Sequence, residues 1–276
     1  MRIADMAAAA AADLRDAGVP SPVLDAELII SHALDMDRVR VRIDAGRELA
    51  PADIRRIRTL LKRRRAFEPI AYILGRKEFY SLDFIVTRDV LVPRPETELL
   101  VDLAVYYARQ NAAVADIGTG SGAIAVSVKH SRPDVEMHAT DISERALRVA
   151  RKNAAAILGP KKIRFHRGDL FEPLAGLGFQ VIAANPPYVN RDDAGHLQKD
   201  LSYEPEIALF ADRGGCGAVE RIVAGAGAHL VEGGILLFEM GADMKEFVET
   251  TGARHGFSVS VMNDYAGLPR VAVMKQ

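Results

Sequence analysis

The sequence predicts an α/β domain, a mostly parallel sheet with helices on both faces, preceded by a small helical domain and a β-hairpin. Three observations predict it. After Pro95, helical stretches alternate regularly with short apolar runs of the kind that parallel strands buried on both faces require. Before about residue 66, apolar residues recur only at helical spacing. A glycine-rich turn, Asp116-Ile117-Gly118-Thr119-Gly120-Ser121-Gly122, joins the first apolar run to the next helix, where such sheets bind ligands.

Taken in order, helices are expected over Ile3 to Ala17, Val23 to Leu34 and Ala52 to Ala66, punctuated by Pro20, Pro22 and Pro51. The third is basic, with Arg55, Arg56, Arg58 and the run Lys62 to Arg65 available either to a partner or as a solvated face over inward Ile54, Ile57, Leu60 and Leu61. From Ile70 to Val92 the alternation around Phe79, Leu82, Phe84 and Val86 predicts the hairpin. Seven strands then follow at Ala113 to Ile117, Glu136 to Thr140, Ile163 to His166, Phe179 to Ala184, Gly234 to Glu239, Ser258 to Met262 and Arg270 to Met274. Between them lie helices at Glu96 to Arg109, Ser121 to His130, Glu144 to Ile157, Ala218 to Leu230 and Met244 to Thr251. No helix separates the last two strands, which must pair antiparallel or lie apart. The expected division is a helical domain at 1–68, a hairpin linker at 69–92 and the α/β domain at 93–276.

Composition narrows the function classes. The 276 residues are 49% hydrophobic, enough for a substantial core, and 36 basic against 37 acidic residues lack the excess of a dedicated DNA-binding protein. Asp5 and Asp13 interrupt any secretory apolar region, and no stretch approaches the roughly 20 residues that span a bilayer. The lone Cys216 and the absence of zinc-ligand spacing point to a reducing cytoplasm and no metal.

Gly118, Gly120 and Gly122 give Gly-x-Gly-x-Gly, which differs from the dinucleotide fingerprint Gly-x-Gly-x-x-Gly. Asp141 ends the next strand, about 20 residues on, where a carboxylate accepts both hydrogen bonds of a ribose diol; the alternative is a helix-entry residue beside Ser143. Asp169 and Leu170 end the third strand, suited to an adenine amino group and ring, or else to an ordinary loop. Asn185-Pro186-Pro187-Tyr188 follows the fourth. There the Asn185 side-chain oxygen and the Pro186 carbonyl can each accept one N–H of a planar NH2 group, aiming its nitrogen lone pair, while Tyr188 lies against the plane and excludes water. The bland alternative is that the prolines end a strand and Tyr188 packs. Hydride transfer has no use for this motif, so the cofactor is read as S-adenosylmethionine and the chemistry as methyl transfer to nitrogen.

Several segments resemble the protein-(glutamine-N5) methyltransferases that modify peptide chain release factors. They are Pro93 to Glu98, Asp116 to Gly122, Gly168 to Pro173, Asn185 to Tyr188, Tyr203-Glu204-Pro205, Glu239-Met240-Gly241 and Asp264 to Val271. The resemblance spans nearly the whole chain. It implies a seven-stranded class I S-adenosylmethionine-dependent, Rossmann-like domain and methylation of the glutamine in the Gly-Gly-Gln of bacterial class 1 release factors, with S-adenosylhomocysteine as the other product. It also implies roles: Gly118, Thr119, Gly120, Ser121 and Gly122 line the cofactor, Asp141 holds its ribose, Leu170 sits beside its adenine, and Asn185 to Tyr188 grip the glutamine, with Asn185 also touching the cofactor. Arg94 and Glu96 belong to the most discriminating segment, since Asn-Pro-Pro-Tyr also occurs in enzymes acting on DNA bases. Where relatives have a Gly-Gly-x-Asp-Gly-like loop, this chain has Ala211 to Gly217 without that acidic residue. Rival readings are a ribosomal-protein glutamine methyltransferase, a DNA amino-methyltransferase and a non-catalytic module that retains the fold.

Overall fold

Two prolines open helices at the amino end, Pro22 and Pro51, each in a first turn where a missing N–H leaves no bond unmade. The computed structural model describes residues 1–160 and 162–276. Its helices begin with α1 (Ile3–Asp16), α2 (Pro22–Leu34), α3 (Arg38–Ile43), α4 (Pro51–Arg65) and α5 (Ile70–Leu74). Leu14, Ile29, Ile30 and Ile57 are fully buried among them. The basic α4 turns Ile57 and Leu61 inward, and even Arg64 is drawn in, its Nε donating to Asp25 at 2.6 Å. Residues Met1–Arg76 form one compact unit together with Gln198–Tyr203. In that returning segment Tyr203 Oη donates to the Ala66 carbonyl at 2.7 Å, and Lys199 Nζ stands 4.5 Å from the Phe67 ring centre.

The hairpin is shorter than the expected 70–92. Ile70–Leu74 is α5, closed by Gly75 at φ 74°, because an apolar run this short does not distinguish helix from strand and Ile73 buries with the helical core. Only β1 (Arg76–Phe79) and β2 (Leu82–Ile85) pair, joined at Tyr80 and Ser81, both with positive φ as a two-residue hairpin turn demands.

The second compact unit, Lys77–Leu197 with Glu204–Gln276, holds the rest. In order come α6 (Glu98–Tyr107), β3 (Ala113–Ile117), α7 (Ala123–Ser131), β4 (Glu136–Asp141), α8 (Glu144–Leu158), β5 (Ile163–Arg167), β6 (Phe179–Ala184) and the two-residue β7 (Val189–Asn190). Then follow α9 (Glu206–Leu209), β8 (Phe210–Ala211), α10 (Gly217–Ala226), β9 (Leu230–Glu239), α11 (Lys245–Arg254), β10 (Ser258–Asn263) and β11 (Pro269–Lys275). Seven strands form one sheet in the order β10-β11-β9-β6-β3-β4-β5, in which only the pairings made by β11 are antiparallel. Successive residues feed opposite cores: Val114, Val181, Leu237 and Val273 on one face, Ala115, Ile182, Phe238 and Ala272 on the other. This is the expected α/β architecture. The order reverses at β3, whose neighbours are β4 and β6, and the carboxyl ends of these strands therefore open a crevice.

Candidate active site

Strand β3 ends in a carboxylate that organises the turn after it. Asp116 is fully buried, and its Oδ2 accepts from Thr119 Oγ1 at 2.6 Å and from the Ala125 amide at 3.2 Å, tying the turn to α7. Its other oxygen is buried without a partner, and desolvation pushes its pKa up to about 7 against those two hydrogen bonds. Gly118, Gly120 and Gly122 all have positive φ. An added Cβ at Gly120 would stand in open space, whereas at Gly122 it would meet Ala150 Cβ of α8 at 3.2 Å. The turn is thus free on the crevice side and pressed against a helix behind.

At the end of β4, Asp141 accepts from the Gly120 amide through Oδ2 and from the Ser143 amide through Oδ1, both at 2.8 Å. The helix-entry reading of this residue is thus the one the hydrogen bonds display. It organises the entry to α8, which Ser143 caps at Ala146, and each oxygen keeps a lone pair for a diol. Burial raises its pKa, opposed by the two backbone bonds. At the end of β5, Asp169 accepts from Arg221 at 2.5 Å, and Leu170 is held at φ 47°.

Beyond β6, Asn185 Nδ2 donates to Thr97 Oγ1 at 3.1 Å, and Thr97 in turn donates to Glu239 Oε2 at 2.6 Å. Tyr188 donates its hydroxyl to Glu239 Oε1 at 3.2 Å. Glu239 is 1% exposed. Burial raises its pKa, while the Thr97 hydrogen bond, the charge of Arg270 and the Tyr188 hydroxyl act the other way. Burial also raises the Tyr188 pKa. Arg94 donates to Glu204 at 2.5 Å, and the same carboxylate accepts from the Val92 amide, so the segment before α6 is clamped to the Tyr203-Glu204-Pro205 loop at its Glu204.

One cavity of about 300 Å³ joins these strand ends. Gly118, Thr119, Gly120 and Ser121 line it, as do Asp141, Asp169 and Leu170. So do Asn185, Pro186, Pro187 and Arg94. Gly122, Tyr188 and Glu96 do not: Gly122 faces α8, Glu96 is exposed, and Tyr188 stands in the wall with its hydroxyl on Glu239. Tyr188, expected to lie against the plane of the acceptor, has its hydroxyl engaged by Glu239. Sequence reasoning missed Ile142, half exposed on the cavity wall directly after Asp141, whose only signal was an isoleucine in a strand-to-helix bend. It also missed Thr97 as the partner of Asn185 and Glu239 as the partner of Thr97. Cys216 has a thiol pKa raised by burial, the reverse of an activated nucleophile. Among the described residues no cluster suits a metal ion, and no helix is long and apolar enough to cross a membrane.

Comparison with known proteins matches this arrangement. The family profile described as "Methyltransferase small domain" fits residues 95–201, and that described as "PrmC N-terminal domain" fits residues 5–75. A protein of Burkholderia pseudomallei called release factor glutamine methyltransferase is 42% identical over 272 residues, 96% of this chain and 95% of that one. One of the same name from Neisseria gonorrhoeae is 40% identical, over 92% of this chain and 93% of that one. Among solved structures, the hMettl16 catalytic domain (TM-score 0.59, 16% identity, 75% of this chain, 78% of that one) and a methyltransferase from Pyrococcus furiosus (TM-score 0.55, 19%, 80% and 97%) share the fold. With relatives alike over nearly their whole length and a methyltransferase sheet carrying the crevice, the chain is a methyltransferase and belongs to the release factor glutamine methyltransferase family.

Proposed function

We propose that this enzyme transfers a methyl group from S-adenosylmethionine to the side-chain amide N5 of the glutamine in the Gly-Gly-Gln of bacterial class 1 release factors, leaving S-adenosylhomocysteine. The observation that carries the reading is the meeting, in one cavity, of the Gly118–Ser121 turn, Asp141 and the Asn185–Pro186 pair. The fit to the cofactor rests on this chain's own features: open space where a Cβ at Gly118 or Gly120 would stand, and a carboxylate at Asp141 with lone pairs to spare. Bound S-adenosylmethionine supplies an electrophilic sulfonium methyl.

The residues do the rest. Gly118 to Ser121 present backbone at close range, Asp141 takes the ribose diol, and Leu170 with Ile142 offers apolar contact to the adenine. Asp169, already paired with Arg221, presents its remaining lone pairs to the adenine amino group. An amide nitrogen is a poor nucleophile because its lone pair is delocalised. Asn185 Oδ1 and the Pro186 carbonyl each accept one N–H, hold the NH2 and turn the lone pair towards the methyl, and they stabilise the positive charge that develops on nitrogen. Pro187 limits the freedom of the turn, and Tyr188 braces it from behind. No strong base is required, because the proton can leave after transfer. Arg94, fixed by Glu204, lines the acceptor side, and Glu96, exposed beside it, is a contact for the protein substrate. The helical domain, 1–68, and the loop from Asn190 to Gly215 are the parts that grip the release factor away from its tripeptide. The site of action is the cytoplasm, with neither membrane nor direct nucleic-acid contact.

Peptide mass spectrometry tests this. A purified release factor is incubated with the enzyme and S-adenosylmethionine, with a ribosomal protein and DNA as parallel acceptors. One added methyl on the Gly-Gly-Gln glutamine is expected. An unmodified release factor beside a methylated ribosomal protein or DNA would transfer the function to that acceptor.

A further inference from the structure

A side-chain amide has two ends of similar shape and opposite hydrogen-bonding sense. Only one orientation of Asn185 presents an acceptor to an incoming NH2, and the other presents a competing donor. Something must therefore set its polarity. On the hypothesis that Asn185 receives the glutamine amide, we propose that Thr97 and Glu239 are positioning residues that fix which end of the Asn185 amide faces the acceptor.

Glu239, the last residue of β9, is almost wholly buried. Two hydroxyl groups converge on it, Thr97 on Oε2 at 2.6 Å and Tyr188 on Oε1 at 3.2 Å. Although burial raises its pKa, Glu239 in its ionised form only accepts, and each hydroxyl then commits its single proton to it, in the direction the two hydrogen bonds have here. With its proton spent, Thr97 Oγ1 can offer Asn185 nothing but a lone pair. The end of Asn185 that faces it at 3.1 Å is therefore the NH2, and Oδ1 is the end left for the cavity that Asn185 lines. With Glu239 ionised, the polarity passes from carboxylate to hydroxyl to amide. Three distant parts of the chain join in it: the turn before α6, the end of β6 and the end of β9. Tyr188 is held by the same carboxylate, so one buried group steadies both ends of the Asn185-to-Tyr188 turn. The Thr97–Glu239 bond spans 142 residues of sequence and has the length usual for a hydroxyl–carboxylate pair.

Glu239→Gln keeps the shape and replaces one acceptor by a donor. A glutamine NH2 turned to Thr97 reverses the hydroxyl, and the reversed hydroxyl turns the Asn185 amide over. Thr97→Val removes the link, and Thr97→Ser keeps it. With a release factor as acceptor, Glu239→Gln and Thr97→Val are expected to lower kcat about ten- to a hundredfold, the effect of losing one well-placed hydrogen bond made in the transition state, and Thr97→Ser is expected to restore most of it. Calorimetric affinity for S-adenosylhomocysteine should stay within about twofold in all three, since such a change alters no contact of the glycine turn or Asp141. Near-wild-type kcat in both Glu239→Gln and Thr97→Val would overturn the relay. So would Thr97→Ser failing as badly as Thr97→Val, which would assign Thr97 a packing role. A second readout needs no acceptor and separates the relay from the proposed function. In the labelled protein, the Asn185 side-chain NH2 protons should show nuclear Overhauser contacts to the Thr97 methyl group that weaken in Glu239→Gln. Their absence in the wild type would refute the relay whatever the enzyme methylates, and their presence in an enzyme that leaves release factors unmodified would refute only the acceptor.

Discussion

Asn153 of α8 lies outside the cavity, yet the cofactor turn depends on it. Its side chain is wholly buried and makes three hydrogen bonds: Oδ1 accepts from the Ile85 amide at 2.8 Å, and Nδ2 donates to the Ile85 carbonyl at 3.0 Å and to the Ser121 carbonyl at 2.8 Å. One amide thus joins the hairpin to the glycine turn. In Asn153→Ala the two bonds to Ile85, a residue at the surface that water can reach, are worth about 0.5 kcal/mol each, at the low end for neutral bonds. Ser121 is 3% exposed, so its carbonyl loses a partner that water replaces poorly, at about 1–3 kcal/mol. The sum is about 2–4 kcal/mol. Urea unfolding followed by circular dichroism reads it as a lowered midpoint at unchanged slope. Asn153→Asp should be worse still, because a carboxylate would face both the Ile85 and Ser121 carbonyls. A loss below about 0.5 kcal/mol in Asn153→Ala, within the range of ordinary surface substitutions, would refute the reasoning.

Three other outcomes are expected. Gly122→Ala places a residue with a side chain at φ 83° and its Cβ 3.2 Å from Ala150 Cβ, so thermal melting should show a loss of about 2–4 kcal/mol from strain and crowding together. Asp116 binds a proton more tightly folded, at about 7, than unfolded, so its contribution to stability is present at low pH and lost as pH rises from about 4 to about 7. Melting temperatures across that window should fall for the wild type relative to Asp116→Asn, and a constant difference would remove the claim. Asp141→Ala should weaken S-adenosylhomocysteine binding by calorimetry more than tenfold, an order set by losing two hydrogen bonds to a charged group.

The α/β part of the fold was legible because β6 is buried at every position and reads as an apolar run interrupted by Gln180 alone, and because turns rich in glycine or acid mark the ends of β3 and β4. The short helices were not. Arg38-Val39-Arg40-Val41-Arg42-Ile43 alternates like a strand, yet it forms α3, because Asp37 caps it at the Arg40 amide and Glu27 collects Arg38 and Arg42 on one side. The compact amino-terminal unit runs to Arg76, beyond 68, because α5 stays with the helical core. In the site, the motif residues that line the cavity were visible at the strand ends. Their supports were invisible: Thr97 stands 88 residues from Asn185 and 142 from Glu239 in sequence, and the pairing of β6 with β9 brings the ends carrying Asn185 and Glu239 side by side. The departure at Ala211 to Gly217 finds a local explanation. Asp212 accepts the Gly215 and Gly217 amides through its carbonyl, and Gly215 passes so close to the Tyr188 carbonyl that a Cβ there would stand 2.4 Å from it.

The central claim is that Asn185 Oδ1 and the Pro186 carbonyl receive the two N–H bonds of one glutamine amide. A crystal structure of the enzyme with S-adenosylhomocysteine and a release factor tests it most directly. The Gly-Gly-Gln glutamine nitrogen is expected at about 2.7–3.2 Å from both oxygens, with the homocysteine sulfur on the line of its lone pair. A glutamine amide that meets the Asn185 NH2 instead, or that lies outside the cavity in a well-ordered complex, would contradict it.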